Sequence, residues 1–470
     1  MPARLTLDVF TPLPPAMTDI ANHSAGVLPH LGRDADVRVW VAQEGWDLPS
    51  MPDVRVRRYD PAALPVAELN GADAAFFNFG NNAAVHREIF EAAAHVPGIA
   101  VLHDLNLHHF FAGLARDDAG RTTYLDALHR HHGPEAEAEG QAFLAGTAPF
   151  GPLVERYPLS LGVAGRALAL VAHNEAGLAE LRAHTRLPLY HVPLSLASEG
   201  VADPRRAPAC PPYRLIVFGF IGGNRRLDAV LRALAALPDP GLFRLDIYGR
   251  LDDEARTEAL IQTLGLQDAV LCHGYVPAET LDRALAAAHL AINLRFPTMG
   301  EASGSQLRIW AHALPSLVTR VGWYATLPES AVFFVEPERE HEDLIRHLMA
   351  FHADQGSFLA AGRRGRVLVL GTHSPARYAR ALLDIAAQAR DLRRDRAALD
   401  LAADAARRMV ELMDPVALRA AAPAVARAVA SIGGTGVLSS RSTVVTAMAS
   451  RSSKLANSLA RASVALSTAS

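Results

Sequence analysis

Cysteine is nearly absent from this chain of 470 residues: Cys210 and Cys272 are the only two. Two thiols cannot make a disulfide framework, and such sparing use points to a reducing compartment. Also missing is any run of ~20 apolar residues, the length a membrane-spanning helix needs. The opening MPARLTLDVFTPLPP has neither the basic start nor the apolar stretch of a secretory signal, so the chain reads as soluble and cytoplasmic. Charge of one sign is lacking as well: 46 Lys and Arg against 49 Asp and Glu leave a net charge of −3. Without a basic field to neutralise phosphates, nucleic acid is excluded as a partner. No G-x-G-x-x-G closes the first strand of either half, which disfavours a NAD-dependent oxidoreductase. His129, His131 and His132 cluster, but with no H-E-x-x-H or Cys-rich spacing they read as a polar helix face, and no metal is expected.

What is present is an alternation of short β-branched or aromatic runs with longer amphipathic stretches. The first half offers LTLDVF, VRVWVA, AAFFNF, IAVLHD and LALVAH; the second offers LIVFGF, LDIYGR, AVLCHG, LAINLR and PSLVTR. Near-continuous apolar strands are buried on both faces, the mark of a parallel sheet covered by helices. Strand–helix–strand order then predicts two doubly wound, Rossmann-like α/β domains, with ligands beyond the carboxyl ends of the strands. The Pro-, Ala- and charge-rich stretch from Ser195 to Arg214 is the best boundary. The expected division is an N-terminal domain over 1–200, a linker over 201–212, a second domain over 213–375, helices over 376–414 and a tail over 415–470. That tail holds six basic residues and no acidic one, embedded in Ala and Ser. It reads either as a solvated disordered segment or as a weak contact with an anionic membrane surface.

Several strand ends carry polar groups suited to a shared cleft. Glu301 precedes Ser303-Gly304-Ser305 at a helix start, where free amides and the helix dipole favour an anion and a carboxylate can accept from sugar hydroxyls. An ordinary Ser-capped helix would look the same. Gly219, after the first strand of the second half, leads to Arg225 and Arg226 at the start of a helix, where their charge opposes the dipole unless an anion sits there. Arg250 ends LDIYGR, and Gly274 lies in a turn after the next strand. In the first half, His103 and Asp104 follow a buried strand, His108 comes one helical turn later, and Asn81 and Asn82 stand at another strand tip.

The segment from Asn293 to Trp323 resembles the donor-binding signature of the family 4 (group 1) GT-B glycosyltransferases through Glu301, Gly304 and Pro315. The resemblance spans roughly residues 4 to 375. It implies two facing Rossmann-like domains and transfer of a hexosyl unit, with retention, from a nucleotide-sugar donor to a glycan or glycolipid hydroxyl in surface polysaccharide or glycolipid synthesis. It implies no metal, because helix termini and basic side chains offset the diphosphate charge. By the resemblance, Glu301 holds donor-sugar hydroxyls and the amides of Ser303 to Ser305 face the sugar and diphosphate. Arg225 takes the place of a phosphate-binding Lys, helped by Arg226, with Gly219, Arg250 and Gly274 on the donor side. His103 sits near the reacting sugar, with Asp19, Asn81, Asn82, Asp104 and His108 on the acceptor side. Three positions depart from the pattern: Asp19 replaces a loop Gly, Phe220 an Arg, and Arg308 the Glu that grips the ribose. The missing Arg and second Glu keep an inactive partner subunit open as an alternative, and a GT-B fold can also serve a nucleotide-sugar epimerase.

Overall fold

The computed structural model describes residues 4–198, 201, 207–412, 417 and 421. The basic tail expected over 415–470 thus lies almost wholly outside the described residues. The first half forms β1 (Leu5–Phe10), β2 (Ala35–Val41), β3 (Val54–Arg58), β4 (Ala74–Phe79), β5 (Gly98–Leu102), β6 (Ala167–Ala172) and β7 (Leu189–His191). The second forms β8 (Tyr213–Phe218), β9 (Phe243–Tyr248), β10 (Val270–Gly274), β11 (Leu290–Asn293), β12 (Ser316–Thr319) and β13 (Phe333–Val335). Strand order is β3-β2-β1-β4-β5-β6-β7 in one sheet and β10-β9-β8-β11-β12-β13 in the other. Every adjacent pair is parallel.

The central strands β4, β5 and β6 are buried along their whole length, as their apolar runs require. Phe76, Phe77 and Phe79 alone bury three rings, each contributing roughly 2–3 kcal/mol. The strands that the apolar-run pattern misses are β3, β7 and β13, all at sheet edges. An edge strand pairs on one side only and needs less apolar surface: β3 is simply Val-Arg-Val-Arg-Arg. In both sheets the strand order reverses beside the first strand, between β1 and β4 and between β8 and β11. The crevice at such a switch point is where ligands bind in open α/β sheets.

Long-range contacts tie the halves together. The loop after β11 docks on the loop after β5: the amides of Leu105 and Asn106 donate to the Met299 carbonyl at 3.1 and 2.8 Å. Asn174 Nδ2 donates to the Gly300 carbonyl at 3.3 Å. Gly300 has φ +74°, and a Cβ there would sit 2.7 Å from Leu105 Cβ, so only glycine fits this contact. Further on, the chain crosses back. The helix Pro375–Ala386 inserts Tyr378, Leu382, Leu383 and Ile385 into the core beneath β1 and β2. From the last helix, Ala389–Leu412, Arg393 donates to the Ala72 carbonyl at 3.1 Å and Arg396 to that of Ala167 at 2.9 Å. Its apolar stripe therefore completes the first domain. Among the described residues no helix is long and apolar enough to cross a membrane.

Candidate active site

At the β8/β11 switch point the backbone comes close before any side chain does. Gly219 (φ +107°) follows β8 and Gly249 (φ +121°) follows β9, and a Cβ on Gly249 would lie 1.9 Å from the Gly219 carbonyl oxygen. This tight turn clears space for Arg225, which sits in the short 3-10 turn Gly223–Arg225. Arg225 is only 8% exposed. Its Nη1 donates to Asn293 Oδ1 at 2.7 Å and its Nη2 to Ser305 Oγ at 3.3 Å. Asn293 in turn donates to Gln306 Oε1 (3.0 Å), and Gln306 to Ser316 Oγ (2.8 Å). Ser303 caps the helix Gly304–Ala311 by accepting from the Gln306 amide at 3.0 Å. Gly219, Arg225, Ser303, Gly304 and Ser305, separate in sequence, thus form one cluster. Arg225 Nε nonetheless has no hydrogen-bond partner among the described residues. Burial, and then the charge of Arg295, lower its pKa to about 10. A desolvated cation with a free donor beside a helix N-terminus is a seat for an anion.

Glu301 lies on the loop between β11 and that helix. Its Oε2 accepts from Thr298 Oγ1 at 3.0 Å and the Met299 amide at 2.8 Å. Its Oε1 lies 3.0 Å from Arg295 Nε, close enough for an ion pair but out of line for a hydrogen bond. Arg295 and Tyr324, which the motif reading did not single out, stand beside Glu301 and Arg225. The available signal was an arginine ending the apolar strand run LAINLR.

Across the cleft, His103 is buried, with Nε2 3.0 Å from Asn78 Oδ1. Burial, and then His173 and His23, hold its pKa well below the usual value. The His103 ring lies 4.8 Å from that of His173 and 5.3 Å from that of His23. Asp104 Oδ2 accepts from the Asn81 amide at 2.9 Å. Burial, and then the charge of Glu301, push Asp104 up to about 7, so the docked loops bring these two carboxyls within electrostatic reach. Asp19, exposed at the start of the helix Asp19–Asp34, acts electrostatically on both Asp104 and Arg225.

Other singled-out residues stand elsewhere. Arg226 turns to Glu340, with Nη2–Oε2 at 2.7 Å. His108 is buried inside the first domain between the Tyr157 carbonyl (2.6 Å) and the Tyr124 hydroxyl (2.8 Å). Asn82 caps the helix Ala83–Ala93, and Asn81 Oδ1 accepts from the Phe110 amide at 2.9 Å. Arg250 lies over the exposed Phe220 ring at 5.3 Å. Gly274 takes φ +66° after His273, which stacks on Tyr248 at 4.2 Å and meets Asp246 Oδ1 at 2.7 Å. Arg308 is bound to Asp282 (3.0 Å) and the Ala278 carbonyl (2.9 Å). His129 pairs with Glu137 at 2.8 Å.

Comparison with solved structures places this architecture. A sucrose-phosphate synthase from Thermosynechococcus elongatus superposes with TM-score 0.56 at 14% identity, over 82% of this chain and 99% of that one. The Anabaena protein HepE, solved with UDP, gives 0.55 at 13% identity over 82% of this chain and 100% of its own. The fold is GT-B. WaaG, a glycosyltransferase involved in lipopolysaccharide biosynthesis, gives 0.52 at 14% identity over 81% of this chain and 99% of that one. No protein-family model and no curated protein matches the sequence. At these identities the likeness is one of fold. In this GT-B chain the Arg225 cluster and the His103–Asp104 strand end both lie at carboxyl ends of strands, one in each half.

Proposed function

We propose that this protein is a retaining glycosyltransferase that moves a hexosyl unit from a nucleoside-diphosphate sugar to an acceptor hydroxyl. The observation that carries the reading is Arg225, buried, short of one hydrogen-bond partner and set beside a Ser-capped helix start. The GT-B fold supports it, and HepE, of the same fold, has been solved with UDP-glucose. In this reading the bond from the anomeric carbon to the diphosphate oxygen breaks as the acceptor oxygen bonds to the same face. The acceptor proton passes to the departing diphosphate. Arg225 and the amides of Ser303 to Ser305 stabilise the charge that develops there, and most of the rate comes from this stabilisation and from positioning. Glu301 orients the donor sugar; His103 and Asp104 line the acceptor side, with Asp19 and Asn81 near them. No metal is required. The acceptor is a surface glycan or glycolipid, and the reaction runs in the cytoplasm, at most peripheral to the membrane.

The test is thermal shift with nucleoside diphosphates and their sugars, on wild type and Arg225→Ala. A ligand at ~100 times its dissociation constant adds ~2.7 kcal/mol of apparent stability. A shift selective for one base and lost in the variant supports the donor assignment. No shift with any nucleotide sinks it and leaves an inactive binding partner, the reading that Arg308, turned to Asp282, would then favour.

A further inference from the structure

Three buried atoms near the end of β11, Arg225 Nε, Arg295 Nε and the Tyr324 hydroxyl, have no aligned hydrogen-bond partner among the described residues, although Arg295 is ion-paired with Glu301 and interacts with Tyr324. They are neighbours, since Tyr324 acts electrostatically on both guanidiniums and Arg295 acts on Arg225. Along the chain Arg295 stands two residues beyond Asn293, the last residue of β11, whose Oδ1 takes Arg225 Nη1 at 2.7 Å. Of the carboxylates near these two desolvated cations, only Glu301 among the described residues pairs with one of them, while Asp104 acts on Arg295 and Asp19 on Arg225 through space. That carboxylate, Glu301, spends Oε2 on its own loop and offers Oε1 to Arg295 out of line at 3.0 Å. Buried guanidinium donors left without an aligned acceptor are costly unless an anion completes them.

We propose that Arg295 is the second cation of the donor's diphosphate, and that without donor it rests on Glu301 and masks that carboxylate. Diphosphate draws Arg295 off Glu301, which frees the carboxylate for the sugar hydroxyls. Diphosphate capture and sugar recognition are thereby linked through one side chain. This rests on the donor reading above.

The linkage makes an opposite-sign prediction for two neighbouring residues. Titration calorimetry with UDP, GDP and ADP, on whichever binds wild type, is expected to show Arg295→Gln weakening binding on the order of ten- to a hundredfold. Arg295→Lys, which keeps the charge, retains more of it. Glu301→Gln removes the competing carboxylate and tightens the same nucleoside diphosphate several-fold, and that gain disappears in the Arg295→Gln background. Thermal midpoints confirm that each variant is folded. Binding that survives in folded Arg295→Gln but is lost in Arg225→Ala overturns this proposal and leaves the donor reading standing. A Glu301→Gln protein that binds no tighter than wild type overturns the masking. Absence of binding by wild type to all three diphosphates overturns both readings together.

Discussion

On the C-terminal side of the cleft the buried groups are guanidiniums with open donors, Arg225 and Arg295, set against a helix start. On the N-terminal side they are neutral imidazoles, His103, His173 and His23, beside a carboxyl that titrates near neutrality, Asp104. Both groups come from strand ends of the same kind of sheet, so topology does not separate them. What separates them is the company each keeps. Burying a cation beside another cation leaves a charge that only an anion can balance, whereas burying histidines beside one another drives off their protons. One wall buries positive charge, partly met by Glu301, while the other holds neutral imidazoles that offer polar atoms.

The contrast breaks most sharply at the backbone that shapes the cationic wall. Gly249→Ala would set a Cβ against the Gly219 carbonyl at 1.9 Å, at φ +121°. It is expected to cost about 3 kcal/mol in urea unfolding and to displace Arg225. Removing the cation alone, in Arg225→Ala, should abolish the ~2.7 kcal/mol of nucleotide-induced stabilisation while leaving the pH behaviour of the opposite wall unchanged.

That pH behaviour, summed over several histidines, is a larger effect than either. The folded pKa values lie at about 3 for His23 and about 4 for His86 and His173, below the 6.5 of a solvated imidazole. Between those values the unfolded chain binds more protons than the folded one, so stability rises with pH. The contribution is complete above about pH 6.5 and is lost as pH falls toward 4, at ~1.4 kcal/mol per pH unit for each histidine fully in that window. Unfolding curves taken from pH 7 to 4 check it; a flat profile would mean these imidazoles are not held neutral. Asp104 has the opposite sign. Its carboxyl is raised from 3.8 to about 7, so the folded state holds a proton that the unfolded chain has released, and stability falls as pH rises across that range. Asp104→Asn removes this term, and its stability relative to wild type should climb between pH 4 and 7 by less than ~1.4 kcal/mol per unit. No such climb would place Asp104 in ordinary solvent.

Much of this molecule is legible from its residues. The apolar runs from LTLDVF to PSLVTR are strands because their side chains suit burial on both faces, and their alternation with helices implies two parallel sheets. Glu301, Ser303 and Ser305 stand at a helix start that a Ser followed by small residues already announces. Less legible were the edge strands β3, β7 and β13: partial exposure weakens the apolar signal of β3 and β7, whereas β13 is apolar but only three residues long. Partnership was not legible at all. Arg225 and Arg226 are adjacent and identical in type, yet Arg225 turns to Asn293 and Ser305 while Arg226 turns to Glu340.

The sequence by itself thus determined the fold class, the strand ends at which chemistry gathers and the cation-bearing turn after β8. Those features follow from local rules: burial periodicity, backbone freedom at glycine and the need to cap a helix. Only the tertiary structure decided that Arg295 joins Arg225, that Glu301 reaches toward Asp104, and that the last helices return to the first domain. Each of these depends on groups far apart in the chain being desolvated together. The free energy of a buried charge is set by its neighbours in space, which spacing along the chain does not encode.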